Sequence, residues 1–338
     1  MALSVVTLRS GSSPSEGYPR PRKPVYDGPE NAENPLGCGS FGREYLKFIV
    51  SLAFTPPEHL RGLTETADAC GYDAVALSDH VVHPEQIQTP YPYTEDGTPR
   101  WPAFTPWPDP WVTVGALSAV TTRLQFLTAI YVLPMRNPFV VAKAVGTAAV
   151  LSGGRVRFGV GAGWMRDEFE LLGQPFERRG ARLDEMLEVL AKLWQGGMVE
   201  HAGEFYRFPR LEMSPVPPSP IPIWVGGLSG PALRRAATRA DGWISDLHTT
   251  AELGELVSRL RALREDSARA GAPLAVAASC RDAFDLDGYR RLRELGVTHL
   301  ITMPWLFHGA AQEDLEAKRE GLERFADEIL LPLEAEGG

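Results

Sequence analysis

From Leu46 onward, short apolar runs alternate with helical patterns eight times, and this alternation constrains the fold more than any other feature of the chain. The runs fall at 48–54, 74–77, 124–131, 156–160, 223–225, 243–245, 274–278 and 299–302. The first repeat shows the punctuation of a strand–helix unit: Pro57 near a helix start, a periodic stretch to Ala69, and Gly71 past its end. Runs that are apolar almost throughout, rather than at alternate positions, belong to strands covered on both faces, as in a parallel sheet wrapped by helices. Eight such units predict a single closed (β/α)8 barrel of TIM type. An open doubly wound sheet would want a glycine fingerprint after the first strand, and Thr55-Pro56-Pro57 supplies none.

Two segments exceed the minimal pattern. Residues 81–108 are dense in Pro, Tyr and Trp, and residues 195–222 carry two short extended stretches, 198–200 and 204–208, around Ala202-Gly203, the signature of a small hairpin. Insertions at strand ends of a barrel line its mouth, so Tyr91, Tyr93, Trp101, Phe104 and Trp107 are expected to edge or lid the site. Ahead of the first strand, Pro14, Pro19, Pro21, Pro24, Pro29 and Pro35 sit among few large apolar side chains. The expected organisation is an extended, poorly packed arm over 1–45 and a barrel over 46–338.

Charge and cysteine content narrow the function classes. The formal net charge is -9 with no long basic run, which leaves no electrostatic footprint for nucleic acid or an anionic membrane. No apolar run approaches the roughly 18 residues of a membrane span, and 1–8 is too short for a secretory core. Cys38, Cys70 and Cys280 are far apart and fit neither a disulfide framework nor a zinc site, so a cytoplasmic setting is expected.

Four groups of residues fall at or just past predicted strand ends, all of which point to one mouth in this architecture. Ser78-Asp79-His80 follows strand two and places an imidazole, titratable near neutral pH, beside a carboxylate. Thr128-Ala129-Ile130-Tyr131 ends strand three, and Asn137-Pro138 reads as a helix start. Gly159, Gly161 and Gly163 strip side chains from one face of strand four, either for close core packing or for a planar cofactor. Gly226-Gly227-Leu228-Ser229-Gly230-Pro231 opens a helix and reads as a phosphate cradle, with a plain turn as the alternative. A metal-dependent hydrolase built on Asp79, His80, His83 and His248 is a weaker rival, because one HxxH without an early-strand HxH is a poor ligand set; no metal is expected. His59, His201 and His299 are assigned ordinary packing or surface roles.

The string Leu151-Ser152-Gly153-Gly154-Arg155, Gly159-Val160-Gly161-Ala162-Gly163-Trp164, Glu168-Phe169 and Glu177-Arg178-Arg179-Gly180-Ala181-Arg182-Leu183-Asp184-Glu185 resembles the luciferase-like monooxygenases, most closely their F420-dependent oxidoreductase branch. Pro222-Ile223-Trp224-Val225-Gly226-Gly227 and Ala240-Asp241-Gly242-Trp243 extend the likeness. The resemblance implies a barrel that binds the deazaflavin F420, or FMN in some relatives, at its strand ends. It implies a non-prolyl cis peptide at Ala129-Ile130, contacts from Asp79 and His80 to cofactor and substrate, ring contacts from Gly161, Ala162 and Gly163, and phosphate binding at Gly226, Gly227 and Leu228 with Ser245 and Asp246 near the tail. His80, with Asp79, is then the catalytic candidate, acting on a small organic substrate by hydride transfer; an FMN-dependent monooxygenase using oxygen is the alternative. A homodimer and a reductase supplying reduced cofactor are further implications. Relatives that oxidise sugar phosphates or alcohols tend to carry Glu directly after the strand-four glycines, an acid that is absent here as a catalytic group. Trp164 stands here instead, which argues against sugar-phosphate oxidation and, with Trp101 and Trp107, suggests an aromatic wall; Glu168 is read as structural.

Overall fold

The strands, in chain order, are Lys47–Ser51 (β1), Ala74–Leu77 (β2), Gln125–Thr128 (β3), Tyr131–Val132 (β4), Val156–Gly161 (β5), Val199–Ala202 (β6), Arg207–Leu211 (β7), Ile223–Gly226 (β8), Gly242–His248 (β9), Ala275–Cys280 (β10) and His299–Thr302 (β11). They belong to a computed structural model that describes residues 46–336, so the arm expected over 1–45, with Cys38, lies outside the described residues. Parallel pairing runs β1-β2-β3-β5-β8-β9-β10-β11 and back to β1, closing an eight-stranded barrel. β4 prolongs the path of β3 past Ala129-Ile130 and pairs with β5. β6 and β7 form the separate antiparallel hairpin expected around Ala202-Gly203.

The helices are Leu60–Cys70 (α1), Pro110–Ser118 (α2), Pro138–Leu151 (α3), Arg166–Leu171 (α4), Arg179–Trp194 (α5), Gly230–Arg239 (α6), Thr250–Glu265 (α7), Leu286–Leu295 (α8), Leu315–Phe325 (α9) and Leu331–Ala335 (α10). Local chemistry sets their ends. Gly71 closes α1 at φ 94, a left-handed conformation that glycine adopts without a Cβ penalty. Asn137 caps α3 by accepting a hydrogen bond from the Phe139 amide at 2.9 Å, ahead of Pro138 in the first turn.

The strand residues divide between two cores. Val75, Phe126, Phe158 and Val225 point outward against the helices in the larger cluster. Ile49, Ala74, Ala76, Leu127, Trp224, Ile244 and Ala277 fill the barrel. Burial on both faces is why the strands read as apolar runs. Toward the amino ends of the strands the interior is polar: Arg157 pairs with Asp73, and His299 lies 3.7 Å from the same carboxylate. Burial holds the His299 imidazole down at about 3, so it is neutral packing at ordinary pH. No helix among the described residues is long and apolar enough to cross a membrane.

Candidate active site at the carboxyl ends of the strands

His80 stands just past β2, and its Nδ1 lies 2.9 Å from Glu168 Oε2 on α4. The same carboxylate accepts the Val81 amide at 2.6 Å and the Val82 amide at 3.3 Å, and Glu168 is only 1% exposed. Burial alone would raise the glutamate pKa, but His80 and the two amides outweigh it and hold it below the ordinary value. An ionised carboxylate can only accept, so Nδ1 carries a proton toward Glu168, and in the neutral imidazole it is Nε2 that keeps the lone pair. Among the described residues no hydrogen bond occupies that nitrogen. Glu168, read as merely structural from sequence, thus reaches into the site and fixes the tautomer of its one free imidazole nitrogen.

Asp79 turns the other way. Its two oxygens take both terminal nitrogens of Arg136 at 2.7 Å, and Oδ2 also accepts the Val132 amide at 2.9 Å. Although burial works against its charge, the carboxylate keeps Arg136 above the ordinary arginine value. With its side chain 1% exposed, Asp79, expected to share the catalytic role, braces the β2 end against β4 through this pair.

The peptide bond between Ala129 and Ile130 is cis. The bulge it belongs to explains the glycines in a way the sequence reading left open. A Cβ on Gly159 would meet the Thr128 carbonyl oxygen at 1.8 Å, one on Gly161 the Ile130 Cδ1 at 1.9 Å, and one on Gly163 the Val132 Cγ1 at 2.5 Å. Successive odd residues of β5 and its extension therefore face successive even residues of β3, the bulge and β4. A Cβ on Gly226 would likewise meet Ile130 Cγ2 at 2.5 Å. The bare strand face makes room for the protein's own bulge, with Ala162 packed against the outer cluster. Ile130 and Val132 thus fill the space that side chains on Gly161, Gly163 and Gly226 would take, and partly exposed Ala129 and Ile130 present surface at the mouth.

Gly227 and Leu228 remain accessible where α6 begins. Gly227 has φ 121, and Ser229 caps the helix by accepting from the Ala232 amide at 3.3 Å. The positive end of α6 and this turn suit an anion. Ser245 and Asp246 lie within β9, which runs further than its sequence run, and the Ser245 hydroxyl donates to the Asp246 carbonyl. Asp246 is bound bidentately by Arg100, both contacts 2.7 Å, across 146 residues of chain.

That pair straps the 81–108 insertion over the mouth. Trp101 and Trp107 lie 4.9 and 5.1 Å from the His80 ring, centroid to centroid, and Trp164 lies 6.3 Å away. Tyr91 packs edge-on against Trp101 and Trp164, and Phe54 against Trp107 at 5.4 Å. Phe54 carries φ 60, a strained value for a bulky residue. Phe54, Arg100, Arg136 and Glu168 were not singled out as site residues from sequence, and only Glu168, in the first turn of α4, left a signal that could have found it. Phe104 is fully exposed rather than part of the wall. His83 is exposed, and among the described residues no group of three His, Cys, Asp or Glu side chains converges as a metal site. Two clefts lie elsewhere: one of about 180 Å³ between Lys47, Tyr72, Arg123 and Glu334, and one of about 430 Å³ between Pro175, Arg178, Phe205 and Tyr206.

A closed parallel barrel with an oriented imidazole and an anion-suited helix start at the carboxyl ends of its strands has the architecture of a (β/α)8 enzyme. The chain belongs to the luciferase-like monooxygenase family, whose model matches residues 45–328. It is 38% identical over 288 residues to an uncharacterized protein of Mycobacterium tuberculosis, spanning 84% of this chain and 99% of that one. It is 31% identical over 287 residues to the F420-dependent glucose-6-phosphate dehydrogenase of Nakamurella multipartita, spanning 82% and 77%. Its fold matches the coenzyme F420 dependent tetrahydromethanopterin reductase of Methanopyrus kandleri with a TM-score of 0.66 at 16% identity, over 86% of this chain and 99% of that one.

Proposed function

We propose that this chain is an F420-dependent oxidoreductase that moves a hydride equivalent to or from a small organic substrate, with His80 carrying the accompanying proton at Nε2. The observation that carries this reading is the His80–Glu168 pair just past the end of β2, in which Nδ1 is engaged and Nε2 has no hydrogen-bond partner among the described residues. The residues present fit a flat ring with an anionic tail. Ala129 and Ile130 offer a half-exposed apolar surface, and Gly227, where a Cβ would come 3.0 Å from that of Ala232, leaves a bare turn at the α6 start. Bound there, the deazaflavin would supply the two-electron hydride chemistry.

The protein's share is positioning and proton transfer. Glu168 holds the imidazole in one tautomer, ready to accept a proton from an alcohol or, once protonated, to give it to a carbonyl oxygen, and the carboxylate stabilises the imidazolium between those states. Asp79–Arg136 fixes the strand end that carries His80, and the 81–108 segment shields the site from water. Supply of reduced cofactor by a separate reductase and assembly as a homodimer belong to the same proposal. The test is titration of the purified protein with F420 and, separately, with FMN. Quenching of deazaflavin fluorescence at micromolar protein is the expected result; no quenching by F420, or tight binding of FMN with oxygen uptake, refutes the cofactor assignment.

A further inference from the structure

We infer that the aromatic compartment around His80 is a specificity site for an uncharged, flat, apolar substrate bearing one hydrogen-bonding oxygen, a ketone or its alcohol, and that it rejects sugar phosphates. This rests on the reading of His80 above and adds the class of molecule presented to it.

The compartment is built from Phe54, Tyr91, Trp101, Trp107 and Trp164, linked ring to ring with centroids 5.1 to 6.4 Å apart. Trp101 and Tyr91 are buried as a backing layer, whereas Phe54, Trp107, Trp164 and, at 12% of its side chain, His80 are partly exposed and form the accessible wall. Such rings reward flat apolar surface laid against them.

Charge decides what is excluded. The two arginines that touch this region are spoken for: Arg100 by Asp246 and the Tyr93 carbonyl, Arg136 by Asp79 and the Val132 carbonyl. Burial raises the pKa of Tyr91 and Tyr93, so their hydroxyls stay neutral. Glu168 is satisfied by His80 and two amides. No cation among these residues is left for a phosphate, which would lose its water against ring faces and a buried carboxylate without a partner. A neutral alcohol or ketone meets no such penalty: the alcohol hydroxyl donates to His80 Nε2, and the ketone oxygen accepts there when the imidazole is protonated.

The experiment is isothermal titration of the full chain, with and without F420, using 1-indanone, glucose 6-phosphate and trimethylphenylammonium as probes. Indanone is expected to bind, and to bind roughly tenfold more weakly to Trp107→Ala, whose lost ring lies on the accessible wall. Glucose 6-phosphate is expected to give no heat at the same concentrations. Tighter binding of the phosphate or the ammonium probe than of indanone overturns the inference, as does absence of indanone binding in both forms, or indanone binding that Trp107→Ala leaves unchanged. Fluorescence titration of the same preparation with F420 separates the two readings. If F420 binds and indanone does not, the compartment is misassigned while the cofactor reading stands; indanone binding without F420 binding gives the converse.

Discussion

Replacing Glu168 with Gln probes the site at one atom. The substitution keeps the volume of a side chain that is 1% exposed and alters only its hydrogen-bonding sense. The amide oxygen can still accept from Val81 and Val82, whose nitrogens lie 2.6 and 3.3 Å from Glu168 Oε1. That choice turns the NH2 group toward His80 Nδ1, 2.9 Å away, which must then become an acceptor, so the imidazole proton moves to Nε2. Two short charge-assisted bonds become neutral ones, a loss of about 1 kcal/mol each and ~2 kcal/mol in all. The expected outcome is a lower urea midpoint, a Tm lower by a few degrees, and inverted tautomer signatures for His80 in 15N-histidine spectra, assigned by comparison with His80→Asn. Turnover that needs Nε2 as a base should fall by about 10² or more, and the reverse direction should fall with it, because the acid there is the imidazolium that the Glu168 carboxylate stabilises. An unchanged His80 tautomer together with an unchanged urea midpoint would falsify the claim that Glu168 sets the imidazole.

Three further outcomes are expected. Gly161→Ala should cost about 1–3 kcal/mol by driving Ile130 Cδ1 from its seat, and pairing it with Ile130→Ala should recover at least ~0.5 kcal/mol relative to additivity in a urea-based double-mutant cycle; strict additivity means that the glycine is bare for another reason. Arg136→Met should cost about 3–5 kcal/mol by stranding the buried Asp79 carboxylate, and the double variant Asp79→Leu with Arg136→Met should be more stable than that single one, again by urea unfolding. Acid should remove the contribution of Glu168. Its folded pKa is depressed, so the stabilisation is fully present above the unfolded value of about 4.3 and is lost as pH falls through the lower folded value. The stability gap between wild type and Glu168→Gln should therefore shrink across that window, and a gap that widens on acidification contradicts the assignment.

The barrel was legible because its cause is local. Each strand is buried on both faces, so the apolar runs at 74–77 and 299–302 coincide with β2 and β11. Boundaries failed where tertiary pairing overrode composition. The run at 124–131 gives no sign of the break between β3 and β4, and β9 continues through polar Asp246 and His248 because β10 pairs with it as far as Cys280. The glycines of β5 announce a close approach, yet glycine records only the missing side chain and not what fills the gap. Here the filling comes from Thr128, Ile130 and Val132, about thirty residues upstream. His80 was visible as a titratable group at a strand end. Its environment was not, since Asp79–Arg136, Glu168–His80 and Arg100–Asp246 join residues 57, 88 and 146 positions apart and no short-range pattern encodes such pairs.

Residues 78–109 contain neither helix nor strand, and a segment of that length keeps a fixed shape only if something other than a backbone ladder holds it. Its fastenings are side chains from outside the loop. Glu168 takes the amides of Val81 and Val82, and its neighbour Asp167 takes the amides of Gln88 and Thr89 and the Thr89 hydroxyl at 2.8 to 3.3 Å. Asp246 holds Arg100 further on, and Asp109 closes the segment by capping α2. Two adjacent acids at the start of α4 thus clamp the first third of the loop, and one of them also orients the imidazole. Any displacement of α4 would loosen the loop and turn His80 together. If His80 carries the proton as proposed, its orientation and the fastening of the loop depend on one helix, and Asp167→Asn should raise the substrate KM although that side chain touches neither His80 nor the aromatic wall; an unchanged KM contradicts the coupling.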